Sequence, residues 1–175
     1  MARRLLLFAL FGAGFSGSPG AASADTCFHV CLKAKMTATD ITDQGIRDLM
    51  TGCRDECEDE ARARLAAKGL ADKIAACTPQ PVDDADLKKV RSGSPSVVAF
   101  ANAFTWDVNN VLPGKIIRRV EIGTQTMSLQ GVTITASGIV EPGESATFLM
   151  NNVSDGYPSL RVTSRIKAIY VCPSE

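Results

Sequence analysis

The sequence predicts an α+β chain, with an N-terminal disulfide-linked α-helical hairpin docked on a small antiparallel β-sandwich. Three observations predict it. Composition turns over near residue 92, from a stretch rich in Ala, Lys, Arg, Asp and Glu (25–91) to one rich in Val, Ile, Thr and Phe with Gly and Pro punctuation (96–172). The first composition favours helix and the second favours strands. All six cysteines fall after the first two dozen residues, and four of them form the repeated spacing Cys27-x3-Cys31 and Cys53-x3-Cys57.

Residues 1–24 have the three-part layout of a cleaved export signal. Arg3 and Arg4 give a positive start, Leu5 to Phe15 is almost wholly apolar, and the breakers Gly17, Pro19 and Gly20 precede the small triplet Ala22-Ser23-Ala24. Cleavage is expected between Ala24 and Asp25. The apolar run of 11 residues is too short for a bilayer, which takes about 20, so an uncleaved anchor is the lesser reading. The Arg3-Arg4 pair admits a twin-arginine route, but its neighbours fit that signal poorly. No second long apolar run follows, so the mature chain should be soluble, without a membrane span, and periplasmic or secreted.

Removing 24 residues from 175 leaves 151, one ordinary domain or two small ones. The leader holds two arginines and no acid, so 19 basic and 19 acidic residues become 17 and 19, a formal charge of −2. Nucleic acid would require a strongly basic face, so it is excluded as a partner class.

The helical part is expected over 25–77. Cys27, Cys31 and Ala34 share one face of a first helix. After a turn at Thr39–Thr42, the residues Ile46, Met50, Cys53, Cys57, Ala61 and Leu65 recur every three or four positions, one face of a second helix. Thr42 or Asp40 can cap its start, and Gly69 can end it in the left-handed conformation. A short third helix would place Leu70, Ile74 and Cys77 on one side. Residues 78–95 read as a linker between the breakers Thr78-Pro79-Gln80-Pro81 and Ser92-Gly93-Ser94-Pro95, with a short helix over Asp83 to Arg91.

The sandwich is expected over 96–175. Phe100, Asn102, Phe104, Trp106 and Val108 alternate onto one face of its first strand. Leu160, Val162, Ile166, Ala168, Tyr170 and Cys172 do so in its last, with Arg161, Thr163, Arg165 and Lys167 facing solvent. Between them lie strands at Ile116–Ile122, Met127–Leu129, Val132–Val140 and Ser145–Val153. The breaks fall at Pro113-Gly114, Gln130-Gly131, Pro142-Gly143 and Asp155-Gly156. Six or seven strands at this spacing make a small sandwich.

Six cysteines in an exported chain imply a disulfide framework with 15 formal pairings. Two cysteines four apart sit one above the other on a helix. If the two helices run antiparallel, outer faces outer and inner faces inner, which pairs Cys27 with Cys57 and Cys31 with Cys53. Elimination leaves Cys77 with Cys172, tying the helical part to the last strand. The rival is a four-cysteine zinc site, which needs thiolates and suits a reducing compartment less well matched to an export signal. Haem attachment needs Cys-x2-Cys-His, which is absent. The repeated spacing resembles the twin-CX3C helical hairpin of small exported and intermembrane-space proteins, over residues 25–69. That resemblance implies a crosslinked hairpin, a scaffold that serves as inhibitor, chaperone or structural module.

Catalytic chemistry has little to draw on. His29 is the only histidine, and its helical face differs from that of Cys27 and Cys31, so it reads as an exposed helix-start residue. Asp55, Glu56, Glu58, Asp59 and Glu60 form a dense acidic run, but Arg54, Arg62 and Arg64 stand at pairing distance, as on a solvated helix face. No EF-hand spacing, phosphate loop or metalloprotease motif is present. No cofactor and no metal site are therefore expected. Arg161, Arg165 and Lys167, joined by Arg118 and Arg119, could form a basic patch for an anionic partner.

In the β part, Phe104-Thr105-Trp106-Asp107-Val108-Asn109-Asn110, Pro113, Ile116-Ile117-Arg118-Arg119-Val120 and Val140-Glu141-Pro142-Gly143-Glu144-Ser145-Ala146-Thr147-Phe148 are similar to the FxLYD-type extracellular β-sandwich domains of bacteria. The family's Tyr-Asp motif has no match between Glu121 and Leu129. The resemblance implies an immunoglobulin-like sandwich without a fixed activity and without site residues. The resulting expectation is a non-enzymatic binding or structural module for an unidentified protein partner. Behind it stand an inhibitor of a secreted hydrolase, an enzyme using the acidic run, and a redox role for the paired cysteines.

Overall fold

The computed structural model describes residues 25–37, 42–125, 130–151 and 164–174. The expected leader, most of the 39–42 turn, the expected strand at 127–129, and Arg161 lie outside these residues.

The helical part begins with α1 (Cys27–Lys35), followed by α2 (Asp43–Ala67) and α3 (Ala71–Ala76). Of the two candidate caps for α2, Thr42 does the work, its hydroxyl accepting from the Gly45 amide at 3.1 Å. Gly69 closes α2 at φ +70°, with the Leu70 amide reaching back to Leu65. Ile46, Met50, Cys53, Ala61 and Leu65 are buried along the expected face, each large one contributing about 1.5–3 kcal/mol. The disulfides Cys27–Cys57 and Cys31–Cys53 bolt α1 to α2, with Cα separations of 5.9 and 5.6 Å. The four sulfurs that could have held zinc are thus consumed, and Cys77 bonds Cys172.

Residues 78–95 are not a free linker. β1 (Gln80–Pro81) pairs with the last strand, and α4 (Asp84–Gly93), capped by the Asp83 side chain, sinks Val90 fully into the sandwich core. Val82, just ahead of α4, and Leu87 and Val90, three apart on one face of it, pack on the same core, which is what binds the segment down.

The strands β2 (Val98–Phe100), β3 (Ala103–Asn109), β4 (Lys115–Gln125), β5 (Gly131–Val140), β6 (Ser145–Asn151) and β7 (Arg165–Pro173) complete the fold. All pairings are antiparallel, in two sheets ordered β1-β7-β4-β5 and β2-β3-β6. Phe104, Trp106, Val108, Ile117, Val120, Ile122, Phe148 and Ile169 meet between the sheets as one core. The Trp106 indole is buried, and its N–H is satisfied by the Pro95 carbonyl at 3.0 Å.

Two strands depart from the expected alternation. The strand expected from Phe100 through Val108 is broken by a two-residue hairpin turn at Ala101 and Asn102, with φ of 50° and 59°. Positive φ at both central residues matches the twist of the flanking strands. Phe100 is therefore half exposed on the edge strand β2 while Phe104 is buried. In β7, pairing with β4 slips between Glu121 and Ile122, which pair with Ala168 and Ile166 and leave Lys167 as the extra residue. Ile166, Ile169 and Val171 consequently face the core, while Tyr170 and Cys172 turn to the same outer side as Lys167. Of the expected face, Ile166 is thus parted from Tyr170 and Cys172, while Leu160 and Val162 lie outside the described residues.

The long helix α2 lies across both sheets. Its first half packs Ile46, Met50 and Cys53 with Phe28, Ala103 and Leu149 against the three-stranded sheet. Its second half packs Ala61 and Leu65 with Ile74, Ile116, Ile139 and Cys172 against one end of the four-stranded sheet. A 25-residue helix is about 37 Å long, enough to bridge the seam between them.

Candidate functional site

The seam between helices and sandwich is polar as well as apolar. Thr26 precedes α1 but makes no capping bond; its hydroxyl lies 2.6 Å from that of Thr147 on β6. Thr147 in turn lies 2.6 Å from Asp107 on β3, and His29 Nε2 lies 2.9 Å from both Asp107 oxygens. A carboxylate only accepts. Thr147 therefore donates to Asp107, Thr26 donates to Thr147, and the imidazole carries its proton on Nε2. His29, expected to be exposed, is instead half-buried at this contact. The order of groups does not suit nucleophilic catalysis. The threonine hydroxyl is bonded to the carboxylate, and the imidazole nitrogen that would activate it is occupied by the same carboxylate.

A second tie crosses the same seam. Glu141, almost fully buried at the end of β5, takes Lys68 on one oxygen and Arg64, at 3.5 Å, on the other. The acidic run on α2 is paired outward: Asp55 with Arg54 at 2.7 Å, Glu58 and Asp59 with Arg62, and Glu56 with Lys35 of α1. Among the described residues, no three His, Cys, Asp or Glu side chains cluster as a cation would need, and no cysteine is free. On α4, Asp86 is gripped by Lys115 at 2.6 Å and Lys89 at 2.9 Å. Hydrogen bonds from Lys115 first and Lys89 second hold its carboxyl below the usual value, against the opposing effect of burial.

The expected basic patch is split. Arg119, Arg165 and Lys167 lie on the outer face of the four-stranded sheet, on the half that α2 and α3 leave open, while Arg118 is turned under α3. Arg119 stacks on the Tyr170 ring, 3.7 Å from its centroid, and the Tyr170 hydroxyl donates to Glu121 at 2.7 Å. Lys167 crosses Gly123 to reach the Thr133 hydroxyl at 2.7 Å. Arg165, Lys167, Thr133, Thr135 and Ser137 are all exposed. Among the described residues, Arg119, Arg165 and Lys167 have no acidic partner. What the face offers is a field of cationic donors beside hydroxyls, with Glu121 the one opposing acid among the described residues.

Sequence reasoning missed Asp107, Glu141, Asp86 and Tyr170 as contact residues. Each finds its partner far along the chain, and no local period marks such a pair. No helix among the described residues is long and apolar enough to cross a membrane. No family model matches the chain, and neither a curated protein nor a solved structure matches it.

Proposed function

We propose that this chain is an exported, non-enzymatic binding module that holds an acidic segment of a protein partner on the open half of its four-stranded sheet. The observation that carries this reading is the trio Arg119, Arg165 and Lys167, three cations on one face, two of them exposed, none ion-paired among the described residues and with Glu121 as the one opposing acid there. Such a face raises the encounter rate with anionic partners and screens out basic ones. Three disulfides support an oxidising compartment, and with the leader-like N-terminus they favour the periplasm or the exterior. The arrangement of four and three antiparallel strands is in keeping with an immunoglobulin-like origin. Hairpin and sandwich tied by covalent and polar contacts make a stiff platform, which lowers the ordering cost of binding.

The test is a comparison of the protein with a triple charge reversal, Arg119→Glu, Arg165→Glu and Lys167→Glu, in binding to a poly-glutamate probe and in mild crosslinking from periplasmic extract. The protein should bind both probe and partner in a salt-sensitive manner, and the reversal should abolish both with its thermal unfolding little changed. Equal capture by the two forms would discard the reading.

A further inference from the structure

We propose that the cleft between α2, α3 and the β4–β5 edge binds a small monoanionic amphiphile, a carboxylate with a short hydrocarbon tail, and that Arg118 is its charge partner. The cleft is separate from the open sheet face and rests on different observations.

The first is a bulge. The register of β4 shifts between Ile117 and Arg119 against both of its neighbours, β5 and β7. Against β7, Arg118 is the extra residue, and against β5 it stands opposite two, Gly138 and Ile139; such an irregularity re-aims the side chain it carries. With Ile117 and Val120 fixed in the core, both Arg118 and Arg119 turn outward. Arg119 finds Tyr170, and Arg118 enters the cleft beneath α3.

The second is an unanswered charge. Arg118 is half-buried and its Nε, itself buried, meets no acceptor among the described residues. Burial lowers its pKa, Glu58 opposes that effect, and Arg62 adds to it. Arg62, the other cation of the cleft, is already committed to Glu58 and Asp59. Glu58 acts on Arg118 only through space, and a partly desolvated guanidinium without a hydrogen-bonded acceptor is costly; its planar fork of N–H donors matches a carboxylate with two parallel bonds.

The third is the lining. Beside the guanidinium lie Leu65, Ile74 and Ile139, each nearly fully buried, and Ala75. Few convergent polar groups on an apolar wall are the usual make-up of a small-molecule site. The cleft measures about 270 Å³, the room of about nine waters, which suits a chain of octanoate size. Asp72 shares the wall and disfavours a dianion, so a monocarboxylate fits better than phosphate.

The experiment titrates the purified disulfide-bonded protein with octanoate, acetate, octylamine and inorganic phosphate, using calorimetry and amide chemical shifts. Octanoate should bind saturably at one site, shifting the amides of Leu65, Ile74 and Ile139, with acetate, octylamine and phosphate each at least about tenfold weaker. Arg118→Gln should weaken octanoate at least about tenfold, and Arg119→Gln on the open face should leave it unchanged. Arg118→Lys keeps the charge without the fork and should fall between. Its thermal unfolding guards against a loss of fold mistaken for a loss of site. Absence of saturation up to about 10 mM octanoate, or an Arg118→Gln variant that binds as the parent does, would overturn the site. Phosphate or acetate binding as tightly as octanoate would overturn the amphiphile assignment.

Discussion

His29 Nε2 sits 2.9 Å from both carboxylate oxygens of Asp107, a residue 78 positions later in the sequence. The pair joins α1 to the three-stranded sheet, and Thr147 and Thr26 extend it on the same side. Apolar packing of Phe28 and Leu149 brings the surfaces together. The directional chain of hydroxyls, carboxylate and imidazole then selects one orientation among the many that apolar contact alone would accept.

Replacing Asp107 tests that role. Asp107→Ala removes the acceptor for both Thr147 and His29 in a partly buried place, and the expected loss is about 2 kcal/mol of unfolding free energy. Asp107→Asn should lose less, because the amide oxygen still accepts one of the two bonds. Urea unfolding of the three proteins, with the hairpin disulfides intact, measures the order. An Asp107→Ala protein as stable as the parent would mean that the contact is ornamental.

The three disulfides should not be equivalent. Cys77–Cys172 closes a separation of 95 residues, and chain entropy assigns about 4.7 kcal/mol to a loop of that size. The hairpin pair is nested, with Cys31–Cys53 inside Cys27–Cys57. With one of the two in place, the other closes only about eight further residues, worth about 2.5 kcal/mol. Paired Cys→Ala substitutions should thus destabilise most at Cys77 and Cys172. Removing both hairpin bridges together should cost more than twice either alone, since the second removal opens the whole loop. Urea midpoints of the single, paired and combined variants give the comparison.

The helices were the legible part. Ile46, Met50, Cys53, Ala61 and Leu65 repeat with helical period because one face packs along its whole length, and Thr42 and Gly69 mark its ends with residues chosen for local reasons. The sheet was legible in its existence and its main breaks, and much less in its faces. Alternation assigns sides only while every residue is paired, and the bulges at Arg118 and Lys167 carry no local mark that would reveal a slip. Ala101 and Asn102 are likewise a poor advertisement for a turn whose usual residues are Asn and Gly; Arg47 of α2 holds that turn by donating to the Ala101 carbonyl at 2.9 Å. The basic residues of the candidate site could be read, but its division between an open face and a cleft depends on where α3 lands, which is set by tertiary packing and by Cys77.

Acid should release a specific clamp. The Asp86 carboxyl is held below its unfolded value of 3.8, chiefly by Lys115 and then by Lys89. A group whose folded value is depressed contributes fully above the unfolded value and loses that contribution as pH falls through the folded one. The difference in stability between the protein and Asp86→Asn should therefore be constant from neutral pH down to about 4 and shrink below it. Lys89 is raised by the same pair, so its share persists up to its unfolded value and is lost only in strong alkali. Thermal melts of both proteins across the acid range measure the effect, and a difference that stays flat below pH 3 would contradict it.

The position least tolerant of change should be Asn110, which uses every polar group it has. Its side-chain amide donates to the carbonyls of Lys115 at 2.7 Å and Val140 at 2.8 Å, and its side-chain oxygen accepts from the Leu112 amide at 3.0 Å. Its own backbone bonds to Glu144 and Gly143, so the loop before β4 and the Pro142-Gly143 turn share this one residue. Asn110 is 1 % exposed, and water cannot replace what a substitution removes. Asn110→Ala strands three buried backbone groups and should cost about 3 kcal/mol or more. Asn110→Asp keeps the shape and the acceptor but turns a carboxylate toward two carbonyl oxygens, so near-isosteric replacement should rescue nothing at neutral pH. Urea unfolding separates the two explanations. Recovery by Asn110→Asp would show that volume, not donation, is what the site requires, and failure of both substitutions would locate the constraint in the two amide hydrogens.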